Sequence, residues 1–162
     1  MTPTPDIIVT TARVADVPTI LSFIRELAAY ENLSHACVAT EDDLKKTLFG
    51  ERPYAEVLIA RYKNVPAGYA LFFHSYSTFL ARPGIFLEDV YVTPELRRHG
   101  IGKAILREVA GIAHDRNCGR LEWAVLDWNE PSIAFYRSLG AEPMDEWTTF
   151  RLTENALAKL AR

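Results

Sequence analysis

The chain predicts a single α+β domain with a mixed central sheet, in the order β-α-α-β-β-β-α-β-α-β followed by a C-terminal helix. Three observations lead there. Segments of strand-like apolar character alternate with amphipathic segments of helical period in that order. A basic loop with two glycines, Arg97-Arg98-His99-Gly100-Ile101-Gly102, joins the apolar run Ile85 to Val92 to the amphipathic run Ala104 to Ala113. Across 162 residues there is no internal repeat, linker or low-complexity tract, so residues 1–162 read as one domain with enough chain to bury a sizeable core.

Ile7 to Arg13 reads as the first strand. Asp16 is the expected N-cap of a helix that tolerates Pro18 in its first turn and carries Ile20, Leu21, Ile24, Leu27 and Ala28 on one face. A second helix starts at Thr40, with Asp43 as a capping-box-like partner, and stops at Gly50. Val57 to Tyr62 and Gly68 to Ser75 form two strands around a turn at Lys63-Asn64-Val65-Pro66. Ile85 to Val92 is the fourth strand, and the helix after the glycine loop buries Ile105, Val109, Ile112 and Ala113. Leu121 to Leu126 is a fifth strand. Pro131 opens the next helix and Gly140 ends it. Thr148 to Leu152 is a short sixth strand, and Asn155 to Ala161 a last helix after Thr153.

Composition narrows the function classes only a little. A hydrophobic share of 49% and a charged share of 24% suit a globular protein. Eighteen basic and twenty-one acidic residues give a net charge of −3, which argues against nucleic acid as partner. The uncharged stretch Val65 to Phe73 is far short of the roughly 20 apolar residues of a membrane span. The opening Met-Thr-Pro-Thr-Pro-Asp has no basic region followed by an apolar one, so no signal peptide is expected. Cys37 and Cys118 stand apart, and His35, His74, His99 and His114 form no ligand pair. A cytoplasmic, reduced, metal-free protein is expected.

A strand, a basic glycine loop and a helix together make an anion site. The helix start leaves backbone N–H groups unpaired and adds a partial positive charge. Gly100 and Gly102 remove side chains that would hold a pyrophosphate away, while Arg97 and Arg98 add full charge. A dinucleotide fingerprint would need a third glycine where Ile105 stands. A triphosphate loop would need glycine at Arg97 and a hydroxyl at Ala104. What remains is Arg-x-x-Gly-x-Gly, which serves either a phosphorylated cofactor or an ordinary tight turn.

This loop resembles the acetyl-CoA loop of the GNAT superfamily of N-acetyltransferases. Three further segments carry the resemblance from about Ile7 to the C-terminal helix: Glu26-Leu27-Ala28-Ala29-Tyr30-Glu31, Phe86-Leu87-Glu88-Asp89-Val90-Tyr91-Val92, and Trp128-Asn129-Glu130-Pro131-Ser132-Ile133-Ala134-Phe135-Tyr136 running on to Gly140. They are similar to the diamine (spermidine/spermine) acetyltransferase branch. The resemblance implies a mostly antiparallel sheet and acetyl-CoA as cosubstrate. It also implies a primary amine of a small molecule as acceptor and a homodimer in which the C-terminal region takes part; Trp147, Phe150, Leu152, Leu157 and Leu160 there fit burial against a partner and equally the chain's own core. It assigns the cofactor to Val90, Tyr91, Val92, Arg97, Arg98, His99, Gly100, Ile101, Gly102, Lys103, Asn129 and Ser132. The backbone of Val90 to Val92 would pair with the pantetheine amides as an added strand. Trp128 suits core packing as well as ligand contact. Tyr30 and Glu31 match positions that meet the polyamine in relatives, although a solvated helix end reads equally well.

Acetyl transfer to an amine has three chemical requirements. The amine must be neutral although its pKa is about 10, the thioester oxygen needs a donor, and the departing thiolate gains from a proton. By the resemblance, Tyr136 is the general acid and the Val90 N–H the oxygen donor; on position alone Tyr136 reads as the core side of a helix. Glu88 is the candidate base or ammonium-binding group, with Asp89 beside it; a salt bridge to an arginine is the alternative for either. Strand alternation puts Phe86, Glu88, Val90 and Val92 on one face and Leu87, Asp89 and Tyr91 on the other. Both acids can then line one cleft only if a bulge breaks the alternation, and such a bulge is a feature of this strand in the superfamily. Relatives tend to carry an aspartate in the segment here reading Ser75-Tyr76-Ser77-Thr78, and this chain has none. That disfavours a long polycation, and Arg82 suggests an acceptor with its own carboxylate, such as a lysine analogue. The rival readings are acetylation of a protein lysine or N-terminus, and a CoA-binding sensor without catalysis.

Overall fold

The computed structural model describes residues 6–162, so residues 1–5, on which the signal-peptide expectation rests, lie outside it. Five strands and five helices follow in the order β1 (Ile7–Thr11), α1 (Val17–Tyr30), α2 (Glu41–Phe49), β2 (Glu56–Tyr62), β3 (Val65–Ser77), β4 (Arg82–Val92), α3 (Ile101–Asp115), β5 (Leu121–Trp123), α4 (Glu130–Ser138) and α5 (Glu154–Leu160). The chain packs as two compact units that divide after Ala124. The sheet and α1 to α3 make the first; α4 and α5 belong to the second.

The sheet runs β1-β2-β3-β4-β5, antiparallel throughout except for the parallel pair β4–β5, which α3 connects. The expected α+β class with a mixed, mostly antiparallel sheet is what the chain forms. The β2–β3 turn is tighter than expected: Tyr62 pairs with Val65, and the two residues between, Lys63 and Asn64, both have positive φ (48° and 67°). A two-residue hairpin of this kind matches strand twist, which draws Val65 and Pro66 into β3. Pro66 is tolerated because pairing to β4 begins only at Gly68.

Two cores flank the sheet. On one face Val17, Ile20, Leu21 and Phe23 of α1 and Leu44 and Leu48 of α2 pack against Val57, Ile59, Tyr69 and Tyr91. On α3, Ile101, Ile105, Leu106, Val109 and Ala113 are buried, the face read from the 3.6-residue period, with Ile112 half-buried. Local caps follow the sequence at α2, where Thr40 Oγ1 accepts from Asp43 N (3.2 Å) and Asp43 Oδ2 accepts from Thr40 N (3.1 Å). Asp16 stands at the N-cap of α1 but turns its carboxylate elsewhere, to Arg13 N (2.8 Å) and the Arg61 guanidinium (3.0 Å).

One expected element is absent. Residues 148–152 form no strand among the described residues. The alternation there is strand-like, but a strand exists only where its N–H and C=O groups find a ladder partner. Here Trp147 is 77% and Phe150 91% exposed. β5 is also shorter than expected, ending at Trp123 instead of Leu126.

Candidate active site

The first unit gathers most of the predicted residues around the end of β4. Leu71 of β3 pairs with Asp89 and Phe72 with Leu87, so Glu88 is the extra residue of a β-bulge. The bulge that the resemblance implies for this strand is present, and it breaks the strict alternation. Directly paired residues share a face, so Phe86, opposite Phe73, lies with Asp89 and Tyr91 on the α1 side of the sheet. Leu87, opposite Phe72, lies with Val90 on the α3 side. The ring contact of Phe73 with Phe86 at 5.5 Å agrees with that register. Glu88 itself is exposed.

The same point is where the sheet opens. β5 pairs with Ile85, Phe86 and Leu87 and then stops. From Glu88 to Val92 the outer edge of β4 has no strand beside it among the described residues. That edge leads through a one-turn 3₁₀ segment, Pro94–Leu96, into the glycine loop.

In the loop, Arg98 and Gly100 both take positive φ (67° and 82°), which turns the chain sharply into α3. Gly100 is the N-cap and has no side chain to satisfy the first N–H groups; Ile101, Gly102 and Lys103 form the first turn. His99 closes the loop through Nδ1, which lies 3.1 Å from the Leu96 carbonyl and 3.0 Å from that of Arg97 and therefore carries a proton. Its ring packs 4.9 Å from that of Tyr62. Arg98 and Lys103 are exposed. Arg97 lies differently: Nε donates to the Val92 carbonyl (3.0 Å), and the guanidinium sits 5.0 Å from the Tyr30 ring centroid and 5.7 Å from that of Tyr91. It ties the end of α1 to β4 instead of facing the helix start.

On the α1 face a second cluster forms. Tyr69, sealed from solvent, donates its hydroxyl to Asp89 Oδ2 at 2.6 Å and stacks on Phe23 at 5.7 Å. Burial pushes the Asp89 carboxyl above the usual carboxylate range, and the Tyr69 hydrogen bond partly offsets this. Glu31, the C-cap of α1, is raised by its own burial and by the charge of Asp89. Burial and then the neighbouring Asp89 hold the Tyr69 phenol far above its ordinary value, so it remains a donor. Tyr91 is pushed up to about 12 by burial and by its hydrogen bond to Glu26 (3.0 Å). The cluster holds the carboxylates of Asp89, Glu31 and Glu26, with the Arg97 guanidinium over the Tyr91 ring beside it, an acidic excess that suits an ammonium group. Arg82 does not enter it: Nε and Nη2 are held by the carbonyl and side chain of Asn117 at 3.1 and 2.7 Å, which corrects its reading as an acceptor-carboxylate group.

In the second unit, Asn129 is buried and caps α4, its Oδ1 accepting from Ser132 N at 3.3 Å, with Pro131 in the first turn. Tyr136 is half-buried two turns on, its ring 5.7 Å from Phe135, and Gly140 ends the segment at φ 88°. Trp128 is 53% exposed, which argues against a core role.

Comparison with known proteins decides the family. The Acetyltransferase (GNAT) family model matches residues 24–141. The chain belongs to this family. A thialysine N-epsilon-acetyltransferase of Bos taurus is 41% identical over 93% of this chain and 94% of its own length. An L-ornithine N5-acetyltransferase of Arabidopsis thaliana is 34% identical, covering 88% of this chain and 82% of its own. An integron cassette protein from the mobile metagenome of V. cholerae has the same fold, with TM-score 0.82 at 24% identity over 98% and 99% of the two chains. This GNAT protein is an acetyl-CoA-dependent N-acetyltransferase of the diamine acetyltransferase-like branch. Among its described residues no helix is long and apolar enough to cross a membrane, and no group of three His, Cys, Asp or Glu gathers as a metal site would require.

Proposed function

We propose that this GNAT protein transfers the acetyl group of acetyl-CoA to a primary amine of a small diamine, polyamine or lysine analogue by direct attack in a ternary complex. The observation that carries the reading is the bulge at Glu88, with the open β4 edge running from it into the N-terminus of α3. An extended amide-bearing arm fits that edge as an added strand, through Val90 to Val92. The backbone of Arg98 to Lys103 suits a pyrophosphate, with Asn129 and Ser132 as further cofactor contacts. Bound acetyl-CoA supplies the activated acyl carbon and a thiolate leaving group. The Val90 N–H serves as donor to the acyl oxygen, and Tyr136 as the acid that protonates the thiolate. Glu88 is exposed where the edge opens, in position to accept a proton from the amine or to hold its ammonium form.

Acceptor recognition falls to the carboxylates. One face of Tyr30 already carries the Arg97 guanidinium, so cation binding rests chiefly on Glu31, Asp89 and Glu88. The thialysine and ornithine relatives both act on amino acids with a side-chain amine, which favours that class here. Acceptor binding is expected to weaken as pH falls through the raised titration of Glu31 and Asp89, because the protonated acids no longer attract a cation. The deciding experiment is an acceptor screen with thiol release as readout, setting thialysine, ornithine, lysine, putrescine, spermidine and a lysine-bearing peptide side by side. Activity confined to the peptide would replace this reading with protein acetylation, and no release with any amine would leave a CoA-binding sensor.

Two expectations accompany it. Glu88→Gln and Glu31→Gln should each raise KM for cationic amines about ten- to a hundred-fold, the range of a lost charge-assisted contact. Only Glu88→Gln should also lower kcat and shift the basic rise of the pH–rate profile. Equal effects on charged and neutral-tailed acceptors would show that these acids hold the fold. The tail is expected to meet a second copy, since Trp147, Phe150 and Leu160 are 77%, 91% and 75% exposed, an apolar surface unusual for a monomer. Light scattering should report a dimer at micromolar concentration, and Phe150→Glu a monomer; a wild-type monomer would refute the assembly.

A further inference from the structure

Tyr69 plays no part in the chemistry just described and gives no sign of function in the sequence, where it is one more aromatic residue in a strand. Its place is nonetheless unusual. The register sets Tyr69 opposite Tyr91 and Leu71 opposite Asp89, so Tyr69 and Asp89 are diagonal neighbours on one face of the sheet. That is the separation a long side chain spans. The hydroxyl reaches the carboxylate at 2.6 Å while the ring is fixed by stacking on Phe23, 12° from parallel. The phenol is fully buried and the carboxylate half-buried, so the bond approaches from the protein side and leaves the acid reachable.

We propose that Tyr69 is a specificity-determining positioning residue, which holds the Asp89 carboxylate aimed so that it reads a second cationic group on the acceptor. The proposal rests on the amine-acetyltransferase reading above. The bulge separates the two neighbouring acids: Glu88 stands at the open edge where the reacting amine is needed, and Asp89 faces the α1 side. An acceptor with two amines, or an amine and an α-amino group, places its unreacted ammonium there. The groups that face Asp89 are Tyr69 from β3 and Glu31 from the end of α1, while Cys37, in the turn before α2, acts on Tyr69. Burial opposes its ionisation, and the Tyr69 hydroxyl favours it.

Tyr69→Phe keeps the stacked ring and removes the donor. It should raise KM about ten-fold or more for thialysine, ornithine and putrescine, as expected for a lost hydrogen bond to a charged group. KM for acetyl-CoA and for butylamine, which has no second cation, should be unchanged. The acidic limb of kcat/KM for the two-cation acceptors should move to higher pH, because the anion has lost its donor. Asp89→Asn should raise the same KM values, and Tyr69→Phe added to it should do nothing more, since a residue acting through Asp89 has no effect without it. If Tyr69→Phe lowers the melting temperature but changes all acceptors equally, or if the two substitutions multiply, Tyr69 only satisfies a buried hydroxyl and the inference fails. A wild-type protein that acetylates no amine refutes the functional reading instead, so the two failures are distinguishable.

Discussion

Replacing Tyr136 with phenylalanine is expected to lower kcat by roughly 10²–10⁴-fold, the usual worth of a positioned acid, with acetyl-CoA binding intact. The substitution keeps the ring and its contact with Phe135, 5.7 Å away, and removes the hydroxyl that carries the proton. A phenol with a pKa of about 10 stays protonated at neutral pH, whereas a departing thiolate, of parent pKa about 8.5, gains from a proton as the bond breaks. The local fold should survive, because the Asn129 cap, Pro131 and the turn at Gly140 hold α4. Turnover at saturating concentrations of both substrates, beside a thermal shift with CoA, measures the two effects separately. Near-wild-type turnover would assign the acid to another group. Loss of the CoA shift would make Tyr136 part of the cofactor's binding surface.

What the sequence made legible was what neighbours in the chain decide. The Thr40–Asp43 capping box, Pro131 in the first turn of α4 and the buried face of α3 all depend on near neighbours in the chain, and each stands where it was read. Cross-strand relations were not legible. That Glu88 is the bulged residue depends on how β3 pairs with β4, and so does the reversal that sets Phe86 with Asp89. Tyr69 reaching Asp89, and Arg97 lying between Tyr30 and Tyr91, join residues far apart in the chain. Arg82 looked available from its charge alone, yet Asn117 at the end of α3 engages it. The stretch 148–152 failed for the same reason in reverse: alternation fits a strand, but pairing makes one.

Gly100→Val is expected to abolish the stabilisation that acetyl-CoA confers. At a hundredfold excess over Kd, a ligand of the folded state stabilises it by about 2.7 kcal/mol, roughly 5–10 °C for a chain of this size. The wild-type protein should show that shift and the variant none. Two effects act together. Gly100 sits at φ 82°, where a β-branched residue is strained, so valine distorts the turn that aims the first N–H groups of α3. A Cβ there would meet no protein atom within 4 Å, so internal packing does not demand glycine; the space in front of the helix start is open to a ligand. Gly100→Asn separates the effects, since asparagine tolerates the left-handed conformation yet still fills the space. Loss of the shift in both variants marks blocked approach, while loss in valine alone marks strain. Gly102→Val tests the neighbouring position in the first turn of α3, where the backbone is helical and the left-handed strain of position 100 does not arise. A wild-type protein stabilised by ATP or NAD but not by CoA would give the loop to a different phosphorylated ligand, because a helix N-terminus suits any phosphate, whereas the proposed pantetheine contact is the open β4 edge.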